Sequence, residues 1–247
     1  MARLTSRIET EAGTVGLRIN ADKTKLMVVG HMGDEQNITA GGKQVESVEE
    51  FCYLGSVISD NGSCDKDIKT RLGKANSVFG RLNNIWKNKT LSTKIKIRLY
   101  ESLVMSTLLY AAETWPMTVA NMKKLEAAHH KWQRKILGVS WRDMITNEEI
   151  RRRAQTEKLE CILSRRRLRW LGHVHRMDKD RITRQAMNWS PADARRKRGR
   201  PRKSWTATVK DDLKRLDMDW EEAELMARDR MVWQCCVAQC AAGTRKD

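Results

Sequence analysis

The sequence predicts a mostly α protein, an α+β fold in which a small β part precedes a long helical remainder. A run of β-forming residues at 51–58 ends at the turn-forming Asp60-Asn61-Gly62. From Ser63 onward, apolar residues recur every three or four positions, which is the period of a helix. Hydrophobic residues make up 40% and charged residues 32% of the chain, so it can bury a core beneath a strongly charged surface.

The front of the chain, residues 1–62, is predicted to form a small sheet or hairpin. Short apolar segments lie at residues 17–20 and 26–29, and the third is the run at 51–58. Residues 30–42 combine glycines with polar residues, which predicts a loop with a short strand at 37–39.

Residues 63–140 are predicted to form one helical domain of three helices. The first follows Ser63, the second runs from Ser92 to Ala111, and the third lies between Pro116 and Gly138. Their apolar positions are Ile68, Leu72, Ala75, Phe79 and Leu82, then Ile95, Leu99, Leu103 and Met105, then Val119, Met122, Leu125, Trp132 and Ile136. The tryptophans at such positions are predicted to lie in the core.

Residues 141–247 are predicted to form a basic helical tail. Thr146 and Glu149 have the spacing of a capping box and open one long helix that continues to Trp170. Gly172, Pro191, Gly199 and Pro201 interrupt the pattern, so residues near 190–204 are predicted to form a loop. Asp219 caps a last helix, whose apolar positions are Leu225, Val232 and Trp233.

The positive charge is concentrated in the tail. The formal net charge is +17, and the stretch from Arg151 to Trp205 holds 19 Lys and Arg against 5 Asp and Glu. Seven arginines fall within 19 residues and are expected to have few acidic partners, and arginine forks bind phosphate in a bidentate manner. Nucleic acid is therefore the expected partner. The candidate contacts are Arg151, Arg152, Arg153, Arg165, Arg166, Arg167, Arg169, His173, Arg176, Arg198, Arg200, Arg202 and Lys203.

Other classes of function find no support in the sequence. The six cysteines are scattered, and neither a signal segment nor a membrane-spanning run occurs, so a nuclear or cytoplasmic location is expected. His173 and His175 have no Cys-x-x-Cys partner, so no metal site is predicted. The sequence contains no nucleophile elbow, P-loop or dinucleotide motif.

Four stretches, taken in order, resemble a known family. Residues 16–27 read GLRINADKTKLM, residues 51–58 read FCYLGSVI and residues 168–177 read LRWLGHVHRM. Arg198-Gly199-Arg200-Pro201 follows and precedes Trp205. Together they resemble the C-terminal part of LINE-type (non-LTR) retrotransposon reverse transcriptases, and the resemblance extends over nearly the whole chain.

The resemblance implies roles for particular residues. Lys23 takes the position of the motif D lysine, which in the family lies near the phosphates of the incoming nucleotide. Phe51, Tyr53, Leu54 and Gly55 take the position of the primer grip, where they also have an ordinary interpretation as the buried face of a hairpin. Residues 1–62 are then the end of the polymerase palm, residues 63–140 the thumb and residues 141–247 the tail. RNA or an RNA–DNA template-primer is the implied partner, with duplex DNA as the alternative.

The chain departs from the family at the catalytic carboxylates. The full-length enzymes hold Mg²⁺ with palm carboxylates that include a Tyr-x-Asp-Asp turn, and no such turn precedes Gly16. The pair Asp211-Asp212 is expected to serve helix solvation. We therefore expect no catalytic residue and no cofactor in this chain, and no polymerisation by the chain alone, although its parent family is enzymatic.

Two other interpretations of the chain stay open. Arg198-Gly199-Arg200-Pro201 resembles an AT-hook, whose arginines enter the narrow minor groove of A·T-rich DNA, so the chain could be a repurposed DNA-binding protein. The same stretch could instead be a connector that contacts phosphates, or a solvated loop. The third interpretation of the chain is a relic that folds poorly and has no function.

Overall fold

The computed structural model describes residues 2–28, 38–189 and 202–242. It is 63% helix and 7% strand, which confirms the predicted mostly α (α+β) fold. The chain divides into two compact units, Met1–Thr70 and Arg71–Asp247, and the division falls inside helix α2, Asp65–Arg81.

None of the helices in the described ranges is both long and apolar enough to cross a membrane.

The first unit contains one helix and short strands. They are α1 Ala2–Thr14, β1 Lys25–Leu26, β2 Thr39–Ala40, β3 Lys43–Gln44, β4 Glu46–Ser47, β5 Glu50–Tyr53 and β6 Ser56–Ser59. β1 pairs in parallel with β4, β2 pairs antiparallel with β3, and β5 pairs antiparallel with β6. Ile38, Ala40 and Val45 form a small core with Ile19 and Leu26 packed against it.

The front of the chain differs from its prediction in three places. α1 was missed because it buries none of its residues and so lacks the apolar face of a core helix. Residues 17–20 form no strand, because Asn20 instead caps the 3₁₀ turn Ala21–Lys23 with its side chain. Of the segment predicted at 26–29, Leu26 ends β1, Met27 and Val28 form no strand, and Val29 lies outside the described residues. Of the strand predicted at 37–39, Asn37 lies outside the described residues and Thr39 begins β2.

The predicted hairpin at residues 51–58 is present as β5 and β6. Phe51 lies opposite Ile58 and Tyr53 opposite Ser56, which leaves Leu54 and Gly55 as a two-residue turn. Both turn residues have positive φ, 49° for Leu54 and 82° for Gly55, as the hairpin turns that match strand twist require. The buried carboxylate of Asp67 in α2 accepts hydrogen bonds from Val57 N and Ser56 Oγ, both at 2.9 Å, and so fastens the hairpin to the helix.

The second unit consists of helices. After α2 they are α3 Asn83–Lys87, α4 Thr93–Leu99, α5 Ser106–Leu108, α6 Val119–Leu137, α7 Asn147–Ala154, α8 Leu159–His175, α9 Ile182–Asn188, α10 Trp205–Lys214, α11 Trp220–Met226 and α12 Arg230–Ala242. Ser92, Thr118, Thr146 and Asp219 cap helices with their side chains, and Asp219 forms a complete capping box with Glu222. Gly138 ends α6 in the left-handed conformation, as predicted.

The second predicted helix buries a different face from the one expected. A π-helical segment, Tyr100–Met105, joins α4 to α5, and its wider turn changes the spacing of the side chains that follow it. Met105 is buried as predicted, and Ile97, Tyr100, Val104 and Leu108 are buried too, whereas Ile95 and Leu103 are exposed.

Two long helices of the tail are each divided in the structure. Gln155 takes a left-handed φ of 52° and ends α7, so the basic helix expected from Thr146 to Trp170 is α7 followed by α8. The last helix is α11 followed by α12, in which Trp233 is buried while Leu225 and Val232 are exposed. Gly172, expected to interrupt a helix, lies inside α8.

Residues on both sides of position 140 share the second unit. Arg166 Nη1 donates to the Leu109 carbonyl at 2.9 Å, and Trp205 Nε1 donates to the Glu113 carbonyl at 2.7 Å. These bonds join the helices predicted as a thumb to the tail. The functional division at residue 140 stays a prediction.

Two hydrophobic clusters support this unit. Phe79 stacks on Trp86 at 5.0 Å and on Trp132 at 5.8 Å between ring centroids. The second cluster lies between α8 and the helices that follow it, and its buried members are Leu168, Leu171, Val209, Leu213, Ala223, Ala227, Trp233 and Val237. Four tryptophans are buried as predicted, namely Trp86, Trp115, Trp132 and Trp233, whereas Trp189 is exposed.

Gly172 permits the closest helix contact of the second cluster. A Cβ at this position would lie 2.1 Å from Trp233 Nε1, which donates to the Leu168 carbonyl at 2.9 Å. We expect Gly172→Ala to lower the free energy of unfolding by roughly 2–3 kcal/mol, since the helices must separate to admit the methyl group.

Gly73 in α2 is the matched control for this substitution. No described atom lies within 4 Å of a Cβ built there, so Gly73→Ala should raise the free energy of unfolding by about 0.5–1 kcal/mol. Urea unfolding followed by tryptophan fluorescence measures both effects, and equal effects of the two substitutions would contradict the close contact at Gly172.

A buried polar network joins the π-helical segment Tyr100–Met105, α6 and the segment after α7. Tyr100 Oη lies 2.6 Å from His129 Nδ1, and Gln133 Nε2 lies 3.0 Å from His129 Nε2. Gln133 also donates to Thr156 Oγ1 at 2.6 Å. Burial first, and the neighbouring His130 and Arg151 second, lower the pKa of His129 from 6.5 to about 3.

This network predicts acid sensitivity. Below pH 6.5 the unfolded chain protonates His129 while the folded chain does not. The contribution of His129 to the free energy of unfolding is therefore fully present above pH 6.5 and is lost as the pH falls towards 3. The expected loss is about 1.4 kcal/mol per pH unit. Between pH 7 and pH 5, the free energy of unfolding of the wild type should therefore fall by about 2 kcal/mol more than that of His129→Gln.

Urea titrations at the two pH values provide the comparison. His173→Gln, which removes an exposed histidine, should retain the pH dependence of the wild type. Parallel pH profiles for His129→Gln and the wild type would show that the network does not carry the acid sensitivity.

Candidate nucleic-acid interface

The residues at the primer-grip position lie at the exposed end of the β5–β6 hairpin. Tyr53 is 58% exposed and Leu54 is 74% exposed, while Phe51 is half-buried and its ring centroid lies 6.5 Å from that of Tyr53. The expectation that Phe51, Tyr53 and Leu54 form a buried hairpin face is therefore wrong. Leu54 and Gly55 form the turn itself, so Leu54 points away from any core, and the tip presents an aromatic and aliphatic surface.

Lys23 occupies a well-defined turn in the first unit. Its backbone N–H donates to the Asn20 side chain at 3.1 Å, and this bond fixes the 3₁₀ turn that precedes β1. The Lys23 side chain is exposed, so its ammonium group is accessible from solvent.

The arginines of α7 are occupied within the protein. Arg152 and Arg153 both bind Glu149, and their hydrogen bonds lower the pKa of that carboxyl to about 2. Arg151 donates from Nη1 to His130 Nε2 at 3.1 Å. The expectation that the clustered arginines lack acidic partners is thus wrong for Arg152 and Arg153.

Two arginines of α8 also bind carboxylates. Arg165 pairs with Glu157, and Arg167 binds Asp212 through two hydrogen bonds of 2.6 and 2.9 Å. Arg167 and Asp212 are each 1% exposed, so Arg167 cannot reach a nucleic acid and Asp212 does not solvate a helix. Both expectations were wrong because sequence alone does not reveal which charges are brought together from distant helices.

The basic residues that remain on α8 and at its C-cap form a surface, exposed at Arg169, His173 and Arg176 and half-buried at Arg166, which we call the α8 stripe. It consists of Arg166, Arg169, His173 and Arg176, spaced by three, four and three residues so that they share one side of the helix. Arg166 and Arg176 are positioned by hydrogen bonds to the carbonyls of Leu109 and Ala227. Trp170 lies beside the stripe, with its ring centroid 5.6 Å from that of His173.

His175 takes no part in this stripe. It is buried, with its ring centroid 6.0 Å from that of Trp220 and its Nδ1 3.3 Å from a Glu224 oxygen. Burial lowers its pKa, while Glu224 acts in the opposite direction. His173 and His175 therefore have separate surroundings, one exposed and one buried.

The loop predicted near 190–204 lies mostly outside the described residues. Arg198 and Arg200 belong to that part. Arg202 is exposed, and Lys203 forms an ion pair with Asp211 at the start of α10.

Both members of the pair Asp211-Asp212 form ion pairs. Asp211 binds Lys203 and Asp212 binds Arg167. Among described residues, no three His, Cys, Asp or Glu side chains are grouped so that they could hold a metal ion.

Sequence reasoning missed a cationic groove beside α6. Lys123, Lys131, Arg134 and Lys135 line it together with His130, and its volume is about 700 Å³. The signal for it was present as lysines at four- and eight-residue spacing in a predicted helix, which places them on one face. The higher density of arginines in α7 and α8 drew the prediction there instead.

The chain is similar to an uncharacterized transposon-derived protein of Caenorhabditis elegans. The two are 26% identical over 243 residues, which cover 94% of this chain and 86% of the relative. No family model matches the chain, and no solved structure matches it. The similarity links the chain to transposon-derived proteins along almost its whole length and is consistent with a retrotransposon origin.

The Arg167 and Asp212 pair predicts a large loss of stability when one partner is removed. Arg167→Met leaves a buried carboxylate whose remaining cation among the described residues is Arg215, at 3.7 Å, and should cost roughly 3–5 kcal/mol. The double variant Arg167→Met/Asp212→Leu should recover most of that loss, because neither charge remains buried.

Thermal or urea unfolding of the two variants and the wild type completes this comparison. The control is Arg165→Met, whose pair with Glu157 is more exposed and whose loss should cost about 1 kcal/mol or less. If Arg167→Met proved as mild as Arg165→Met, the buried pair would not have the assigned role.

Proposed function

We propose that the chain is the C-terminal part of a LINE-type non-LTR retrotransposon reverse transcriptase. In this proposal it binds RNA or an RNA–DNA template-primer through phosphate contacts, and it acts in the nucleus or the cytoplasm. The similarity to the C. elegans relative supports a transposon-related protein. The assignment to a reverse transcriptase rests on the order of the four sequence stretches.

The arrangement of residues 168–177 carries the proposal. Within this one stretch, Leu168, Leu171, Gly172, Val174 and His175 are buried, whereas Arg169, His173 and Arg176 are exposed. The buried half has a packing role against α10 to α12. Arg169 and Arg176 in the exposed half are cations that the described fold does not neutralise with carboxylates, as expected of a surface that binds phosphates.

Two further features support a polymerase-type template-primer interface. The hairpin with its exposed tip of Tyr53 and Leu54 supports this interface, because a primer grip is expected to be a β-hairpin at this position in the sequence. On α2, Gly73 and Gly80 meet no described atom within 4 Å of an added Cβ, so packing does not account for them. Glycine in a helix costs about 1 kcal/mol and allows close approach of a phosphate backbone, as a thumb helix requires.

In this proposal the chain contributes binding and no metal-dependent step. The 247 residues contain no Tyr-x-Asp-Asp turn, and Asp211 and Asp212 are occupied by Lys203 and Arg167. In the full-length family the Mg²⁺ ions hold the primer hydroxyl and the leaving phosphate. The hairpin tip and the α8 stripe would position the duplex on which such a metal site acts.

Binding to a labelled RNA–DNA hybrid tests the proposal. Fluorescence anisotropy between about 50 and 200 mM salt should give an affinity that falls steeply with salt and exceeds that for duplex DNA of the same sequence. Arg169→Gln should weaken binding several-fold and reduce the salt slope by about 1, because it removes one phosphate contact.

The matched control is Arg152→Gln, which removes the same charge from an arginine already bound to Glu149 and should change the affinity little. Preferential binding of A·T-rich duplex, lost in Arg200→Ala, would favour the minor-groove alternative. An affinity weaker than micromolar for every nucleic acid would favour a relic, and primer extension by the chain with Mg²⁺ or Mn²⁺ would overturn the absence of a metal site.

A further inference from the structure

The groove beside α6 is a second cationic surface in the 71–247 unit. Lys123, Ala127, Lys131 and Lys135 follow one another at four-residue intervals, so they form one row along the helix. Val139, Ser140 and Asn147 also line the groove. With a rise of about 1.5 Å per residue, the row from Lys123 to Lys135 is about 18 Å long.

The lysines of this row differ from most basic residues of α7 and α8 in their pairing. Among the described residues, Lys123, Lys131 and Lys135 form no ion pair with a carboxylate, and Glu126 is the acidic residue that lines the groove. By contrast, Arg152, Arg153, Arg165 and Arg167 each bind a glutamate or aspartate. The groove therefore keeps its positive charge available for an anion from outside.

The inner side of the groove adds further positive charge to that of the lysine row. His130 lies there, and it accepts a hydrogen bond from Arg151 and lies near Arg134, whose Nη2 is anchored on the Ile145 carbonyl at 2.6 Å. Burial lowers the pKa of His130, and Arg151 and Arg134 lower it further. The histidine is therefore neutral at neutral pH, and the two arginines behind it hold fixed charges of the same sign as the lysine row.

We propose that this groove binds consecutive phosphates of a nucleic-acid strand, as a second contact surface separate from the α8 stripe. The inference rests on the proposed function, since it assigns the partner to the same nucleic acid. A row about 18 Å long exceeds what a single phosphate or one nucleotide would occupy, and a polymer with a phosphate at every step matches it. Lysines suit this role, because an ammonium binds phosphate as a point charge without demanding one orientation.

The test uses the full chain with the double substitution Lys123→Gln/Lys131→Gln. Both side chains are exposed, so the fold should be retained, which circular dichroism and the unfolding midpoint verify. Affinity for the RNA–DNA hybrid should fall about tenfold near 100 mM salt, and the salt slope should decrease by about 2. The control Lys210→Gln/Lys214→Gln removes the same charge from exposed positions of α10 and should change the affinity less than about twofold.

A footprint of the wild type gives an independent readout. Acetylation of lysines, read by mass spectrometry, should be slowed at Lys123, Lys131 and Lys135 by bound hybrid and unchanged at Lys210 and Lys214. Equal affinities of the groove variant and the control variant would show that the groove does not bind the hybrid. That result would not affect the phosphate contact assigned to Arg169 or the proposed function.

The other outcomes are also decisive. If the groove variant lost binding and Arg169→Gln had no effect, the groove would be supported as a contact surface. The α8 stripe would then be excluded as one. Displacement of the hybrid by ATP at the same total phosphate concentration would overturn the assignment to a polymer. An absence of binding by the wild type would overturn both the proposed function and the groove.

Discussion

The buried ion pair between Arg167 and Asp212 fixes how α8 is oriented, and the surface of the second unit depends on that orientation. A buried guanidinium is tolerated only when it is paired, so the side of α8 that carries Arg167 must face α10. The same turn of helix places Leu168 and Leu171 in the core and allows Trp233 to pack against Gly172. What remains outward is the α8 stripe. A single internal pairing thus decides which of many basic residues are available to a ligand.

Local sequence signals predicted those parts of the fold whose causes are local. The hairpin at 51–58, the caps at Thr146 and Asp219 and the left-handed end of α6 at Gly138 each depend on a few neighbouring residues. The division of α7 from α8 at Gln155 was not predictable in this way, since glutamine carries no turn signal. The π-helical segment Tyr100–Met105 likewise has no local signal in the sequence, and its Tyr100 contacts His129 of α6, a residue 29 positions away.

The pairing of charges at the candidate site also could not be predicted from local sequence signals. Counting charges located the tail as basic, which follows directly from composition. Composition does not show that Glu149 binds two arginines of its own helix or that Asp212 binds an arginine 45 residues earlier. Helix α6 carries less net charge per residue than the stretch from Arg151 to Trp205, yet its lysines are less neutralised by carboxylates in the described fold. The availability of a charge is therefore a tertiary property, and it is the property that matters for phosphate binding.

Leu54 is an unusual residue for the hairpin turn in which it lies. Leu54 holds a left-handed φ of 49° while its side chain is 74% exposed, so it adds backbone strain without burying apolar surface in its own unit. Asparagine, aspartate or glycine would form the same turn at lower cost. In the proposed function, the exposed Leu54 side chain would take part in contact with a partner at the hairpin tip. A sugar-phosphate backbone resting against the tip formed by Tyr53 and Leu54 would provide that contact, because its sugar faces are apolar while its phosphates stay in solvent.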